Sequence, residues 1–492
     1  MSAASAALAS TGEMPAVRPS RVRRNAELGL LLFAMALVAA YGATVEATML
    51  GEVTADFWVP AAILTTVFVS IHVAIRFLAP QADPVLLPAV ALLNGLGVGF
   101  LRRLDLAEVP VAEGAELTTF AGTGGRQLAW TLAAVVGAIV LLAVVRDHRV
   151  VSRYAYTLGL AGIVLVMIPA VLPPSMSEIN GAKLWIIVGG FTIQPGEFAK
   201  LALLSFFAYY LVRKREVLSL ASRRFLGIDF PRGRDLGPVL VVWLVSLLVL
   251  VFEKDLGTSL LYFGMFVVTL YIATERVSWL IIGLGLFFGG AVSAYYLGKQ
   301  LGGPFANFVV RADTWLDPFA DPFAKGFQLS QSLLGLGTGG LFGAGPGGGQ
   351  PTKIPEVHND FIFAGMGEEI GLFGLTALLT LYLLIVVRGL RIGLAVRDSF
   401  GKLVAGGLAF TLGLQVFVII GGVTKLIPLT GQTTPFLSAG GSSLMANWLL
   451  VAVLLRISDA ANQTAGGPPV RPAGAVGPPV QLHAANTEVI RP

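Results

Sequence analysis

The sequence predicts an all-α polytopic membrane protein with about 12 transmembrane helices, both termini in the cytoplasm and one long extracytoplasmic loop. Three observations predict it. The 492 residues are 55% hydrophobic and only 13% charged, with a mean hydropathy of +0.78, too few polar groups to cover a water-facing surface. The apolar residues run in continuous blocks separated by short polar ones, which suits helices and not the alternation of an outer-membrane barrel. Basic residues gather on alternate sides of those blocks, as the positive-inside rule requires.

Taken in order, the blocks are Leu28 to Val45, Trp58 to Ile75, Val85 to Leu101, Leu128 to Val145, Tyr154 to Leu172, Pro195 to Val212, Leu236 to Phe252, Leu256 to Ala273, Trp279 to Leu297, Phe361 to Val387, Leu403 to Ile420 and Ser438 to Leu455. Each approaches the 20 or so residues that cross a bilayer. With the N-terminus inside, Arg18 to Arg24, Arg146 to Arg153, the run Arg213 to Arg234, and Arg388 to Lys402 all face the cytoplasm. That arrangement puts 23 of the 34 Lys and Arg residues inside. The first block follows basic residues as a signal peptide does, but lacks a small-residue cleavage site, and reads as a retained helix. Residues 1–27 and 458–492, the latter rich in Pro, Gly and Ala, read as disordered cytoplasmic tails around a membrane domain spanning 28–457. The net charge of +5 therefore belongs to topology and calls for no nucleic acid.

The chain has no cysteine, which excludes disulfides and thiolate chemistry, and its four histidines, His72, His148, His358 and His483, have no ligand-type spacing. Residues 298–360 form the long outer connection. Its aromatics, among them Phe305, Trp315 and Phe319, suit the membrane interface, and the glycines from Gly337 to Gly349 suggest a segment that bends freely. A phosphate-loop reading of those glycines fails, because no Gly-Lys-Ser/Thr ending follows.

Ionisable groups inside spans are expensive and are functional hypotheses by default. Glu197 and Lys200 stand three residues apart and share a helix face, either as a structural ion pair or as part of a site. Glu253 and Lys254 read as a solvated turn, and Asp255 as a helix cap. Lys353, Glu356, His358, Asp360, Glu368 and Glu369 form the densest cluster, where the long loop enters the tenth block. Asp360 reads either as a cap or as a reactive carboxylate at the outer interface, and Glu368 and Glu369 as groups facing protein interior.

These residues stand in motifs. Pro355-Glu356-Val357-His358-Asn359-Asp360-Phe361-Ile362-Phe363-Ala364 is followed by Gly367-Glu368-Glu369-Ile370-Gly371. To these add Trp185, Gln194-Pro195 with Glu197 to Lys200, Asp255-Leu256-Gly257-Thr258, Arg311 with Trp315, Gln328, Gln331 and Ser332, Pro428 to Gly431, and Ser438 to Ser443. On them the chain resembles the SEDS family of bacterial peptidoglycan glycosyltransferases, the group of RodA, FtsW and SpoVE. Gly196, Ala439 and Asn359 depart from the usual family residues, but all flank the charged positions. Two spans beyond the ten common in the family suggest an added N-terminal pair, as in actinobacterial members of the elongation branch.

The resemblance implies an enzyme of the cytoplasmic membrane with an extracytoplasmic active site. It would polymerise lipid II into β-1,4-linked glycan for cell-wall elongation and cell shape, releasing undecaprenyl pyrophosphate. By position it makes Asp360 the general base. Glu197 and Lys200 would order the site or meet the pyrophosphate, with Lys183, Trp185, Arg311, His358, Asp255, Gln331 and Ser332 as further substrate-binding residues. It requires no cofactor, although Mg²⁺ or Mn²⁺ would suit carboxylates and phosphates. The implied partners are membrane lipid and a class B penicillin-binding protein. The rivals are a lipid II flippase and a division-type polymerase of the same family.

Overall fold

The computed structural model describes residues 20–108, 121–179, 181–189, 191–219 and 255–465, and between them residues 223–225, 228–230, 237, 240, 241, 243–245 and 248. The expected span from Leu236 to Phe252 therefore falls largely outside the described residues, as do Glu253, Lys254, residues 1–19 and residues 466–492.

The helices are α1 (Ser20–Leu50), α2 (Trp58–Leu78), α3 (Leu86–Glu108), α4 (Gly122–Val144), α5 (Ala155–Val171) and α6 (Pro195–Ser219). They continue as α7 (Leu256–Thr274), α8 (Ser278–Leu301), α9 (Ala306–Leu316), α10 (Phe327–Gly339), α11 (Ile362–Ala395), α12 (Ser399–Val423) and α13 (Gly441–Ala465). Among the described residues nine helices are long and apolar enough to cross a membrane: α1 to α4, α7, α8 and α11 to α13. α5 is shorter, and α6 carries Glu197, Lys200 and a basic end. Between α5 and α6, β1 (Glu178–Ile179) pairs with β2 (Ala182–Lys183) and β3 (Ile186–Val188) with β4 (Phe191–Ile193), both antiparallel.

α1 begins at Ser20 and α13 runs to Ala465, so both helices take in residues expected in the tails. Pairing explains this, because the charges there are buried. Arg24 reaches Glu27 at 2.5 Å, and Glu27 reaches His72 on α2 at 2.7 Å. At the other end Asp459 accepts from the Gln81 amide at 2.7 Å, and Ser458 from the Asp83 amide at 2.9 Å.

α3, α12 and α13 are buried along most of their length, whereas α8 turns nearly all of its surface outward, with Ile281, Leu284, Phe288 and Val292 exposed. Lipid solvates an apolar side chain as well as a protein core does, so close backbone approach and buried amides must hold such a bundle together. On α11, Gly389 and Gly393 meet Ala409 and Gly406 of α12; a Cβ at Gly389 would lie 2.7 Å from that of Ala409. Polar contacts lock the other side, with Trp448 Nε1 donating to Asn94 at 3.0 Å and Asn94 donating to Thr131 at 3.2 Å.

The long connection between α8 and α11 contains α9 and α10, and its glycine stretch does not bend freely. α11 is broken at Gly371 (φ 65°, ψ −173°), which strands buried backbone groups, each of which would cost several kcal/mol if left unpaired. The strap 340–350 satisfies them. Ala344 N donates to Glu368 O and Gly345 N to Glu369 O, both at 2.9 Å, while Leu372 N donates to Gly340 O at 3.0 Å and Phe373 N to Leu341 O at 3.1 Å. The glycines are there because the two backbones touch. Arg103 of α3 completes the junction, pairing with Glu369 and donating to Gly349 O at 2.6 Å. Glu369 is thus a packing group, and Glu368 accepts from the Gln350 amide at 3.0 Å.

Candidate active site

The segment ahead of α11 is shaped by Glu356, which adopts a left-handed backbone (φ 54°) and accepts from the amides of Asn359 at 2.9 Å and Phe361 at 3.3 Å. Phe361 occupies the helix cap without side-chain capping, so Asp360 is left out of that role. Phe361, Ile362 and Phe363 bury themselves beneath it. From above, Ser438 donates its hydroxyl to Asn359 O at 2.6 Å and Ala439 its amide to His358 O at 2.8 Å. Asp360 is held by main chain on both sides, partly buried, and its carboxylate accepts no hydrogen bond among the described residues.

Across from it stands Arg311 of α9, whose Nη1 donates to Leu429 O at 3.2 Å and Thr430 O at 2.6 Å. Gly431 lies between the two at φ 74°. A Cβ there would sit 3.3 Å from Arg311 Nη2 and 3.5 Å from Asp360 Oδ2. Burial lifts the Asp360 carboxyl to about 7; neighbouring Glu356 and Asp255 push the same way, and Arg311 opposes them. Burial lowers the Arg311 guanidinium from its ordinary value, while Asp255 and Asp360 hold its proton on.

Asp255 caps α7, accepting from the Thr258 amide at 2.9 Å, and also from Gln432 Nε2 at 3.2 Å. Burial raises its carboxyl, with the Thr258 hydrogen bonds and Arg311 restraining the rise. Glu197 and Lys200 on α6 are buried and joined at 2.7 Å. Lys200 also donates to Gln415 Oε1 of α12 at 3.2 Å, and Gln415 Nε2 donates to Thr433 O at 3.2 Å. The hub is therefore the segment 429–433. Its carbonyls take Arg311 and Gln415, and Gln432 reaches Asp255.

The structure gathers Asp360, Arg311 and Asp255, and joins Glu197 and Lys200 to them through that hub. Lys183 and Trp185 stand on the hairpins before α6, where no side-chain hydrogen bond ties them to the hub among the described residues. His358 is 45% exposed and lies 3.7 Å from Glu356, so its imidazole faces outward. Gln331 is half-buried on α10 with no side-chain hydrogen bond to these groups among the described residues, and Ser332 is buried and donates to Val423 O at 3.2 Å, which makes it a packing group. Gln415 and Gln432 are residues of this cluster that the sequence motifs do not include, whereas Gly431 stands in the motif Pro428 to Gly431. An amide alone in the apolar block Leu403 to Ile420 was the available signal for Gln415.

A free carboxylate and a guanidinium across a one-glycine gap can take a proton from a hydroxyl while positive charge faces a leaving anion. The family described as "Cell cycle protein", that of FtsW, RodA and SpoVE, matches residues 84–463. The chain belongs to this family. The matched stretch contains all the site residues and begins after α1 and α2.

Among curated relatives, the peptidoglycan glycosyltransferase RodA of Mycobacterium tuberculosis is 48% identical over 445 residues, 90% of this chain and 92% of its own. That of Mycobacterium leprae is 49% identical over 450 residues, with the same shares. Stage V sporulation protein E of Bacillus subtilis is 39% identical over 60% of this chain and 75% of its own. A chain from a solved peptidoglycan synthase complex, described as coordinating polymerization and crosslinking, superposes with a TM-score of 0.58 at 25% identity, covering 77% of this chain and 98% of that one.

Proposed function

We infer that the chain is a peptidoglycan glycosyltransferase that polymerises lipid II for cell-wall elongation. The observation that carries this reading is the unpaired Asp360 carboxylate, raised to about 7, facing Arg311 across Gly431 in a chain 48% identical to a RodA. Asp360 takes the proton of the acceptor sugar hydroxyl as its oxygen bonds to the anomeric carbon of the donor. The bond from that carbon to the pyrophosphate breaks, and undecaprenyl pyrophosphate leaves with the electron pair. Arg311, and Lys200 from the side of α6, stabilise the charge that develops on it. Glu197 holds Lys200, and Gln432 holds Asp255.

Among the described residues no three acidic or imidazole groups gather to hold Mg²⁺ or Mn²⁺; such an ion would be carried on the pyrophosphate. The topology that goes with the reading has twelve spans, cytoplasmic termini and the hub on the outer side of the cytoplasmic membrane. The likeness to a synthase complex, and the broad apolar face of α8, support a membrane-anchored class B penicillin-binding protein as partner. Elongation is favoured over division because the RodA relatives match at 48–49% over 90% of the chain, and the FtsW and sporulation relatives at 39% or less over 60–68%.

Purified protein in detergent, given lipid II, tests the reading, since micelles have no two sides and polymer made there is catalysis. The parent should build glycan and Asp360→Asn none. Full activity of Asp360→Asn overturns the base assignment. A parent inert in detergent that moves labelled lipid II across liposomes overturns the enzyme reading in favour of transport.

A further inference from the structure

α1 and α2 lie outside the stretch matched to the family, yet α1 reaches the strap that seals the break in α11. Gly347, at φ 80°, is pressed against the last turns of α1. A Cβ there would lie 3.1 Å from Met49 Cγ, 3.2 Å from Thr48 Cβ and 3.2 Å from Val45 O. Two residues on, Gly349 faces α11, where a Cβ would lie 3.0 Å from Glu369 Cγ and 3.2 Å from Glu368 Cγ. The strap is thus held between α1 and the broken helix.

The charges repeat this arrangement. Glu46 of α1 is fully buried and accepts from Thr54 Oγ1 at 2.8 Å, Thr54 N at 3.0 Å and Arg102 Nη2 at 3.2 Å. Adjacent helical residues point about 100° apart. Arg102 therefore turns to α1 while Arg103 turns to Glu369 and the strap. Gly365, three residues beyond the start of α11, touches Val357, Phe100 and Pro351, so the start of α11 leans on the same α3 surface.

We propose that Glu46 is a positioning residue for the reaction inferred above: through Arg102 it fixes α1 against α3, α1 presses the strap onto the Gly371 break, and the seated break sets where α11 presents Asp360. This rests on the polymerase reading, but its structural half can be tested without it. A general base is sensitive to misplacement by about an ångström, which costs up to about a hundredfold in rate even when the cause is remote.

Glu46→Ala should lower kcat for glycan synthesis from lipid II about ten- to a hundredfold with little change in KM, as expected when reacting groups are misaligned and binding is kept. Glu46→Gln retains the shape but only one of the two acceptor oxygens, since Thr54 takes Oε2 and Arg102 takes Oε1, and should recover part of the rate. In the same proteins, hydrogen exchange of the Ala344, Gly345, Leu372 and Phe373 amides should quicken in Glu46→Ala and less in Glu46→Gln. Glu46→Ala turning over at the parental rate overturns the proposal, as does a slowed variant whose four amides exchange as in the parent. If the parent makes no polymer, the functional reading fails, and the exchange measurement alone decides the bracing role. If Glu46→Ala does not insert, Glu46→Gln with Arg102→Met removes the pair without leaving an orphaned charge and carries the same exchange expectation.

Discussion

Replacing Asp360 by Asn should stop polymerisation and at the same time make the protein harder to unfold at alkaline pH. The carboxyl stands at about 7 in the folded chain against an ordinary 3.8, chiefly because burial disfavours its charge and Glu356 repels it. Below about pH 4 the folded and unfolded chains both carry the proton, and the group contributes nothing to the balance. Between about 4 and 7 the folded chain keeps a proton that the unfolded chain has released, so stability falls as pH rises through that window. Above 7 the folded chain carries the desolvated charge in full. The rise from 3.8 to about 7 corresponds to at most about 4 kcal/mol, and solvent contact at the half-buried side chain lowers this to roughly 2 kcal/mol.

Asn has the shape of the protonated acid and no charge. Melting of the detergent-solubilised protein, followed by tryptophan fluorescence, should therefore place Asp360→Asn a few degrees above the parent at pH 8. The difference should shrink strongly at pH 4.5. Over the same range the parent's polymerisation should rise with pH through a midpoint near 7, because the base acts only when ionised. An Asn variant no more stable than the parent at pH 8, or one whose advantage is independent of pH, refutes the claim that a desolvated carboxylate is held here for reactivity.

Arg311→Met removes the cation that opposes the rise at Asp360, so the acidic limb of the pH–rate profile should move above its parental position while the maximal rate falls; an unmoved limb argues that Arg311 does not face the base. Lys200→Ala leaves Glu197 buried without its cation and should cost about 3 to 5 kcal/mol of stability, whereas Glu197→Gln with Lys200→Met should restore folding but not activity, as read by melting and by glycan yield. Gly371→Ala forces a side chain into a backbone region open only to glycine and against the strap, and should cost about 1 to 3 kcal/mol with faster exchange at the Ala344 and Gly345 amides.

Among the described residues nine of the apolar blocks are legible as membrane-length helices because lipid leaves little freedom, and a block such as Leu403 to Ile420 can hardly be anything but a buried helix. The tail boundaries were less so, since Arg24, Glu27 and Asp459 look solvated until the partners that neutralise them, far away in sequence, are known. Asp360, Glu197 and Lys200 stood out as charges in apolar surroundings. Pro428 to Gly431 stands out as a motif, but its role as a hub is not legible, because the working atoms are the carbonyls of Leu429, Thr430 and Thr433, and a carbonyl is the same in every residue. The free bending that the glycines of the strap suggest fails for a related reason. Glycine occurs both where a chain must move and where two backbones must touch, and only the hydrogen bonds from Ala344 and Gly345 to the broken helix distinguish the cases.

The placement of Arg311 couples the two halves of the inferred reaction. With both acids ionised, Asp255 and Asp360 share its positive field, and the guanidinium is largely committed. When Asp360 takes the acceptor's proton it becomes neutral, and one of those claims on Arg311 disappears at the moment charge accumulates on the leaving pyrophosphate. Gly431 allows this exchange because no side chain fills the gap between guanidinium and carboxylate. In the inferred reaction Asp255 would not follow Asp360, because the Thr258 amide and Gln432 already hold its oxygen. Of two carboxylates facing one arginine, the one bound by hydrogen bonds would set the field and the free one would move the proton, a division of labour that follows from their environments.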